Sequence, residues 1–329
     1  MRVFLIGGTG QIGLETARVL CEREHEVSAI ALPPLPKDIS LPKGMRLKNG
    51  DYRDFSDAQL AEALKGCEGL VMAAGLNENS TVDTPTEETF LKMDVLPMRR
   101  LLLVAQQCGV KRVAVAGSCF AYFARMWKEM NLEAQPYVRA CVERENLALF
   151  FSNGTMSVSI PELPPVVGGG RWSVPVLLPL IKDIVEDPKK SAMPKEGGTA
   201  LVTVQQAAQA MAGALERGRG GKTYPVGYYN LLWSDLTRMV HEHLQTPDKK
   251  IKPLSARAYQ AKMKQQAGEA GSGLDPVALI PFRTAEAFLD KRVAVETLGV
   301  EEDNLEAALG QMVERCLKIL ESRSGKQEN

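Results

Sequence analysis

Three glycines, Gly7, Gly10 and Gly13, stand between an apolar run at residues 2–6 and the helical rhythm of Ile12, Leu14, Ala17, Val19 and Leu20. A β-branched and aromatic run that breaks at glycines and restarts with a 3.6-residue period reads as strand, tight loop, helix. In that setting glycine lets the backbone approach a diphosphate at a helix N-terminus, so the spacing predicts a dinucleotide-binding loop.

The rest of the first half repeats the alternation. Apolar runs at 27–32, 45–47, 69–74 and 112–116 read as strands, with helical patterns starting near Leu60 and covering 87–107. Strands alternating with helices imply right-handed crossovers and a parallel sheet. Farther on, 137–151 reads as helix, 156–160 as strand, 161–170 as a proline- and glycine-rich loop, and 174–185 as helix. Residues 187–198 read as a surface loop, 201–204 as strand and 205–216 as helix. From Trp233 the chain reads as mainly helical, with a flexible segment at 265–272 and a polar tail at 322–329.

Composition narrows the function classes. Forty basic residues balance forty acidic ones, which argues against a nucleic-acid or anionic-membrane binder. The six cysteines are scattered with no Cys-x-x-Cys pair, so reduced thiols in a cytoplasmic chain are expected, without a zinc site. The opening run is too short for a signal core or a membrane span. His241 and His243 lie two apart on a helix, hence on different faces, so no metal site is expected.

On its motifs the chain resembles the extended short-chain dehydrogenase/reductases, also called the NAD-dependent epimerase/dehydratase family. The opening loop carries Gly7, Thr9, Gly10, Gln11, Ile12 and Gly13; Asp51 and Tyr52 fall where that family contacts adenine; Ala73, Ala74 and Gly75 resemble its fourth-strand motif beside the cofactor ribose. Ala116-Gly117-Ser118 resembles the strand that carries the catalytic Ser or Thr, and Leu298-Gly299-Val300 the closing segment. The resemblance implies an α/β, Rossmann-type doubly wound parallel sheet with a smaller, mainly helical C-terminal substrate domain. It divides the chain into a dinucleotide-binding part at 1–160, to which 199–230 return, and a substrate part at 161–198 and 231–321. The implied cofactor is NAD or NADP. The second strand ends Ile30, Ala31, Leu32 with neither an acid for the ribose hydroxyls nor a base for an extra phosphate, and Lys37 reads as a solvated loop residue, so the choice stays open.

The resemblance also implies a catalytic Tyr-x-x-x-Lys on one helix, where residues four apart share a face. Here Tyr137 is present and the lysine position holds Cys141. A neutral thiol carries no positive charge and donates weakly, so it does not replace an ammonium that lowers a phenol's pKa. Arg144, seven residues after Tyr137, reads as a surface ion pair or as a partial substitute that folds back along the helix. Asp94 stands where the family has Asn, and Gln205 and Gln206 where it has acids.

Two functions stay open on these residues. One is hydride chemistry on a sugar-like or small carbonyl or hydroxyl substrate, Tyr137 acting as acid/base and Ser118 positioning the substrate. The other is a nucleotide-binding or regulatory protein that has lost turnover. A lesser third option makes Cys141 a nucleophile. Arg171 and Trp172 in the loop after the sixth strand, and Arg283 where nucleotide-sugar members hold a diphosphate, are candidate substrate contacts. A small-molecule substrate, no nucleic acid, no membrane and a homodimer through the long helices are the implied partners.

Overall fold

The computed structural model describes residues 1–35, 39–76, 86–169, 174–187, 190–266 and 273–324. Lys37, Arg171 and Trp172 lie outside the described residues. The strands in chain order are β1 (Arg2–Ile6), β2 (Glu26–Ala31), β3 (Arg46–Asn49), β4 (Gly69–Met72), β5 (Arg112–Val115), β6 (Gly117–Ser118), β7 (Ser157–Leu163), β8 (Val166–Val167), β9 (Lys190–Pro194), β10 (Gly198–Thr203), β11 (Lys222–Pro225), β12 (Tyr229–Leu232), β13 (Lys250–Leu254) and β14 (Glu286–Ala287). The helices used below are α1 (Gln11–Glu22), α2 (Asp57–Leu64), α3 (Glu87–Phe90), α4 (Leu96–Gln107), α5 (Cys119–Met126), α6 (Pro136–Phe150), α7 (Leu178–Glu186), α8 (Val204–Arg217), α9 (Trp233–His243), α10 (Ala256–Gln266), α11 (Ile280–Arg283) and α12 (Leu305–Ser324).

The main sheet runs β11-β7-β5-β4-β1-β2-β3, all parallel, with β6 added beside β7. Strand order reverses between β1 and β4, where Val3 pairs Gly69 and Ile6 pairs Met72. In a doubly wound sheet that reversal opens a crevice at the carboxyl edge. The two-residue period sorts the side chains: Val3, Leu5, Val71 and Ala114 face α1 and α8, whereas Phe4, Ile6, Leu70, Met72, Val113 and Val115 face α2, α4 and α6. With both faces covered, β1, β4 and β5 are apolar beyond their first residues, as expected of parallel strands with neither face in water.

Several expectations are corrected. The helix expected over 87–107 is interrupted by a wide π turn, Leu91–Val95, between α3 and α4. The strand expected at 156–160 extends through Pro161 to Leu163 as β7, because Pro161 keeps its acceptor side in the ladder with β11. The helix expected over 174–185 shrinks to α7, since the chain first makes a turn at Pro175, whose carbonyl accepts from the Leu178 amide. The surface loop expected at 187–198 carries β9, which pairs in parallel with β13. The C-terminal third is less helical than read: β12, β10 and β14 form a second sheet joined by β8, with β12 antiparallel to β10. The tail expected from 322 is still helical to Ser324. No helix among the described residues is long and apolar enough to cross a membrane.

Candidate functional site

The glycine loop is built by close approach. Gly7 has φ +92°, and the Gly7 and Gly8 amides both donate to the Ile30 carbonyl at 3.0 Å, which turns the chain sharply off β1. A Cβ on Gly13 would lie 2.1 Å from the Gly7 carbonyl oxygen, so α1 sits directly on the loop only because Gly13 has none. Gly10 caps α1 without a side chain and is exposed, Thr9 beside it is half-buried, and no acid occupies the helix's first turn. The first-turn amides of a helix have no intrahelical acceptor, and its N-terminal dipole favours an anion. The loop therefore fits a nucleotide diphosphate.

This loop opens into a cleft at the carboxyl edge of the sheet. Gln11 and Ile12 line one end, Ala73, Ala74 and Gly75 after β4 its floor, and Leu163 to Val166 the opposite wall. Ser118 reaches it from β6, and Tyr137, Cys141, Arg144 and Glu145 from α6. Of the candidate site residues singled out in the sequence, the structure gathers Gln11, Ile12, Ala73, Ala74, Gly75, Ser118, Tyr137 and Cys141 in one cleft.

Tyr137 is buried, with its ring edge-on to Phe90 and Phe120 at centroid distances of 6.0 and 6.1 Å. The Cys141 thiol is within hydrogen-bonding reach of it. Burial, and then the Glu145 charge, push the Cys141 thiol up to about 12. That leaves it neutral near pH 7 and counts against the nucleophile option, which needs a lowered thiol pKa.

Arg144 is not on the surface. Its Nη2 donates to the Ala74 carbonyl at 2.8 Å, and its Nη1 lies 3.5 Å from Asp94 Oδ2, which the π turn carries inward. A long side chain on a helix leans toward the N-terminus, which is how a residue two turns beyond Tyr137 enters the same cleft. Burial raises the Asp94 pKa, against the opposing charge of Arg144 and a hydrogen bond from the Leu76 amide.

A second buried cluster supports Ser118. Glu145 accepts from the Ser118 amide at 3.2 Å and from Arg125 Nη1 at 2.9 Å, while Arg125 Nη2 bonds Glu162 at the end of β7. Two carboxyls share one guanidinium; burial drives both acids upward, the Glu162 charge adds to the rise at Glu145, and Arg125 opposes it at both. The Ser118 hydroxyl caps α5, accepting from the Phe120 amide at 3.3 Å.

The remaining positions lie outside the cleft. Arg53 grips the Asp51 carboxylate with Nε at 2.9 and 2.8 Å; burial would raise this acid, but the Arg53 bonds outweigh it and hold it below its usual range. Tyr52 turns inward to the core below α4, where burial raises its phenol. Arg283 on α11 is half-buried and is not among the residues lining the cleft; its carbonyl accepts from Trp233 Nε1 at 2.7 Å. Of the aromatic residues after Ser118, Phe120 lines the cleft, while Phe123 and Trp127 pack with Phe282. His241 is bonded to Ser191 and Thr246, and His243 faces Glu306. Among the described residues no cluster of His, Cys, Asp or Glu forms a metal cage.

Asp94, Arg125 and Glu162 were missed as parts of a site. Glu162 did leave a signal, the one charged residue in β7.

A parallel sheet with this strand order, a glycine loop opening its first helix and a cleft at the switch point define an NAD(P)-binding protein of the Rossmann type. Residues 7–148 match the family described as NAD(P)H-binding. A Synechocystis sp. protein named provisionally as a dihydroflavonol 4-reductase is 28% identical over 120 residues, 36% of this chain and 33% of that one, so the match spans about a third of that relative. A nucleoside-diphosphate-sugar epimerase from Pseudomonas aeruginosa superposes over 97% of this chain and 98% of its own at 19% identity and TM-score 0.71. MoeE5, solved with UDP-glucose and NAD, does so over 97% and 100% at 21% identity and TM-score 0.67.

Proposed function

We propose that the chain is an NAD(P)-dependent oxidoreductase of the epimerase/dehydratase type, acting on a sugar-like or small carbonyl or hydroxyl substrate. The observation that carries this reading is the presence of Tyr137 and Ser118 in the cleft into which the glycine loop opens. A bound nicotinamide supplies or accepts the hydride. Tyr137 gives the substrate oxygen its proton in reduction and takes it back in oxidation, and the Ser118 hydroxyl positions that oxygen. Gly7, Thr9, Gly10, Gln11, Ile12 and Gly13 cradle the diphosphate; Ala73, Ala74 and Gly75 take the nicotinamide ribose; Asp51 and Tyr52 belong to the adenine end. Arg171, Trp172 and Arg283 are assigned to the substrate side.

The same reading assigns residues 1–160 and 199–230 to the nucleotide, and 161–198 with 231–321 to the substrate. A homodimer through α4 and α6 is supported by exposed Leu96 and Phe150 on those helices. Cytoplasmic residence is supported by the free thiols of all six cysteines.

Cys141 favours a second reading, a nucleotide sensor without turnover. Steady-state assays with NADH and NADPH over aldehydes, ketones and nucleotide sugars, run with Cys141→Lys alongside, separate the two. Turnover in the unaltered chain supports the enzyme. Tight nucleotide binding with no turnover in either protein supports the sensor.

A further inference from the structure

Among the described residues lining the cleft, Arg144 is the one cation. It sits under the carboxyl end of β4, and a Cβ on Gly75 would come within 2.4 Å of Nη1, so the chain leaves room for this guanidinium beside the floor of the cleft. The position four after Tyr137 holds a neutral thiol, so among the described residues that line the cleft no other positive group stands with the phenol.

Its hydrogen bonding is incomplete. Nη2 is committed to Ala74, but Nη1 stands 3.5 Å from Asp94, longer than a strong charge-assisted bond, and Arg144 Nε and Asp94 Oδ1 are buried with no hydrogen-bond partner. A pair this loosely closed keeps donors for another oxygen-rich group. Among the described residues, Cys141 and Glu145 on α6 line the cleft with Tyr137, and Asp94 on the π turn and Tyr52 after β3 face Arg144. Glu145 is engaged by Arg125 and Ser118, while Asp51 and Arg53, farther out, are locked to each other.

We propose that Arg144, restrained by Asp94, is the cation of this site: it takes the ribose hydroxyls of the bound nicotinamide nucleotide and stabilises the anion of Tyr137. The assignment rests on reading Tyr137 as the acid/base. Asp94 then sets how much of the guanidinium charge the phenol feels.

The test uses the full chain without nucleotide, titrating tyrosinate absorbance and subtracting the same curve for Tyr137→Phe. Calorimetric titration with NAD and NADP follows. In Arg144→Met the Tyr137 step should rise by about one pH unit or more, and the preferred nucleotide should bind roughly 10-fold more weakly. Arg144→Lys should fall between, and Asp94→Asn should move the step down by leaving the cation uncompensated. Unaltered titration and affinity in Arg144→Met and Asp94→Asn would overturn the assignment; if the Met variant does not fold, Arg144→Lys and Asp94→Asn decide it. A coupled titration alongside full turnover in Tyr137→Phe would sink the acid/base reading and not the pairing.

Discussion

The side-chain amide of Gln11 donates to the carbonyl of Gly168 at 2.6 Å, joining the first turn of α1 to the loop after β8. This bond ties the first turn of α1, which lines the cleft, to the chain that continues from the opposite wall at Leu163 to Val166. Gln11→Leu removes about 1 kcal/mol of that closure. NAD(P) should then dissociate roughly 5-fold faster in stopped-flow fluorescence, with the melting temperature nearly unchanged. An unaltered off-rate would show that the bond plays no part in retention.

Gly13→Ala places a Cβ against backbone, not against a side chain that can swing away. Overpacking of this kind costs about 1–3 kcal/mol, which lowers Tm by about 2–8 °C for a domain of this size. Scanning calorimetry should show that drop together with weakened nucleotide binding. A variant with the parent Tm would contradict the seating of α1 on the loop.

Stability should fall as pH rises from about 4.5 to about 8. Burial, then the Glu162 charge, push Glu145 up to about 8, with Arg125 opposing. The unfolded chain releases that proton near the ordinary carboxyl pKa of about 4.3, so across the window the folded state binds more protons and loses stability with rising pH. Glu162→Gln leaves one carboxylate per guanidinium and should flatten the dependence. Urea midpoints from pH 5 to 8 measure it, and a slope in Glu162→Gln as steep as in the parent would count against the influence of Glu162 on Glu145.

Tyr137→Phe keeps the ring that packs on Phe90 and Phe120 and removes only the hydroxyl. The turnover number should fall roughly 10²–10⁴-fold while nucleotide affinity and Tm hold. Full activity in this variant would remove Tyr137 from the chemistry.

The elements that were legible in the sequence are those whose signal is local. β1, the glycine loop and α1 announce themselves through an apolar run, three glycines and a helical period within two dozen residues. β9 and β13 were not legible, because Lys190–Pro194 and Lys250–Leu254 are polar, proline-bearing segments whose partners lie some sixty residues away. Of the two readings of Arg144, the surface ion pair rests on charged residues usually being exposed; its burial depends on Asp94 and the Ala74 carbonyl, which sequence spacing does not bring near it. The helix carrying Asp94 was legible, but not the π turn that aims it. The Arg125–Glu145–Glu162 cluster draws on α5, α6 and β7, and only the assembled fold brings those three together.

A crystal structure of the chain with NAD or NADP tests the account most directly. It should show the diphosphate on the amides of residues 10–13, the ribose beside Gly75 and Arg144, and the nicotinamide ring facing Tyr137 and Ser118. A nucleotide bound elsewhere, or a ring turned away from Tyr137, would contradict the account.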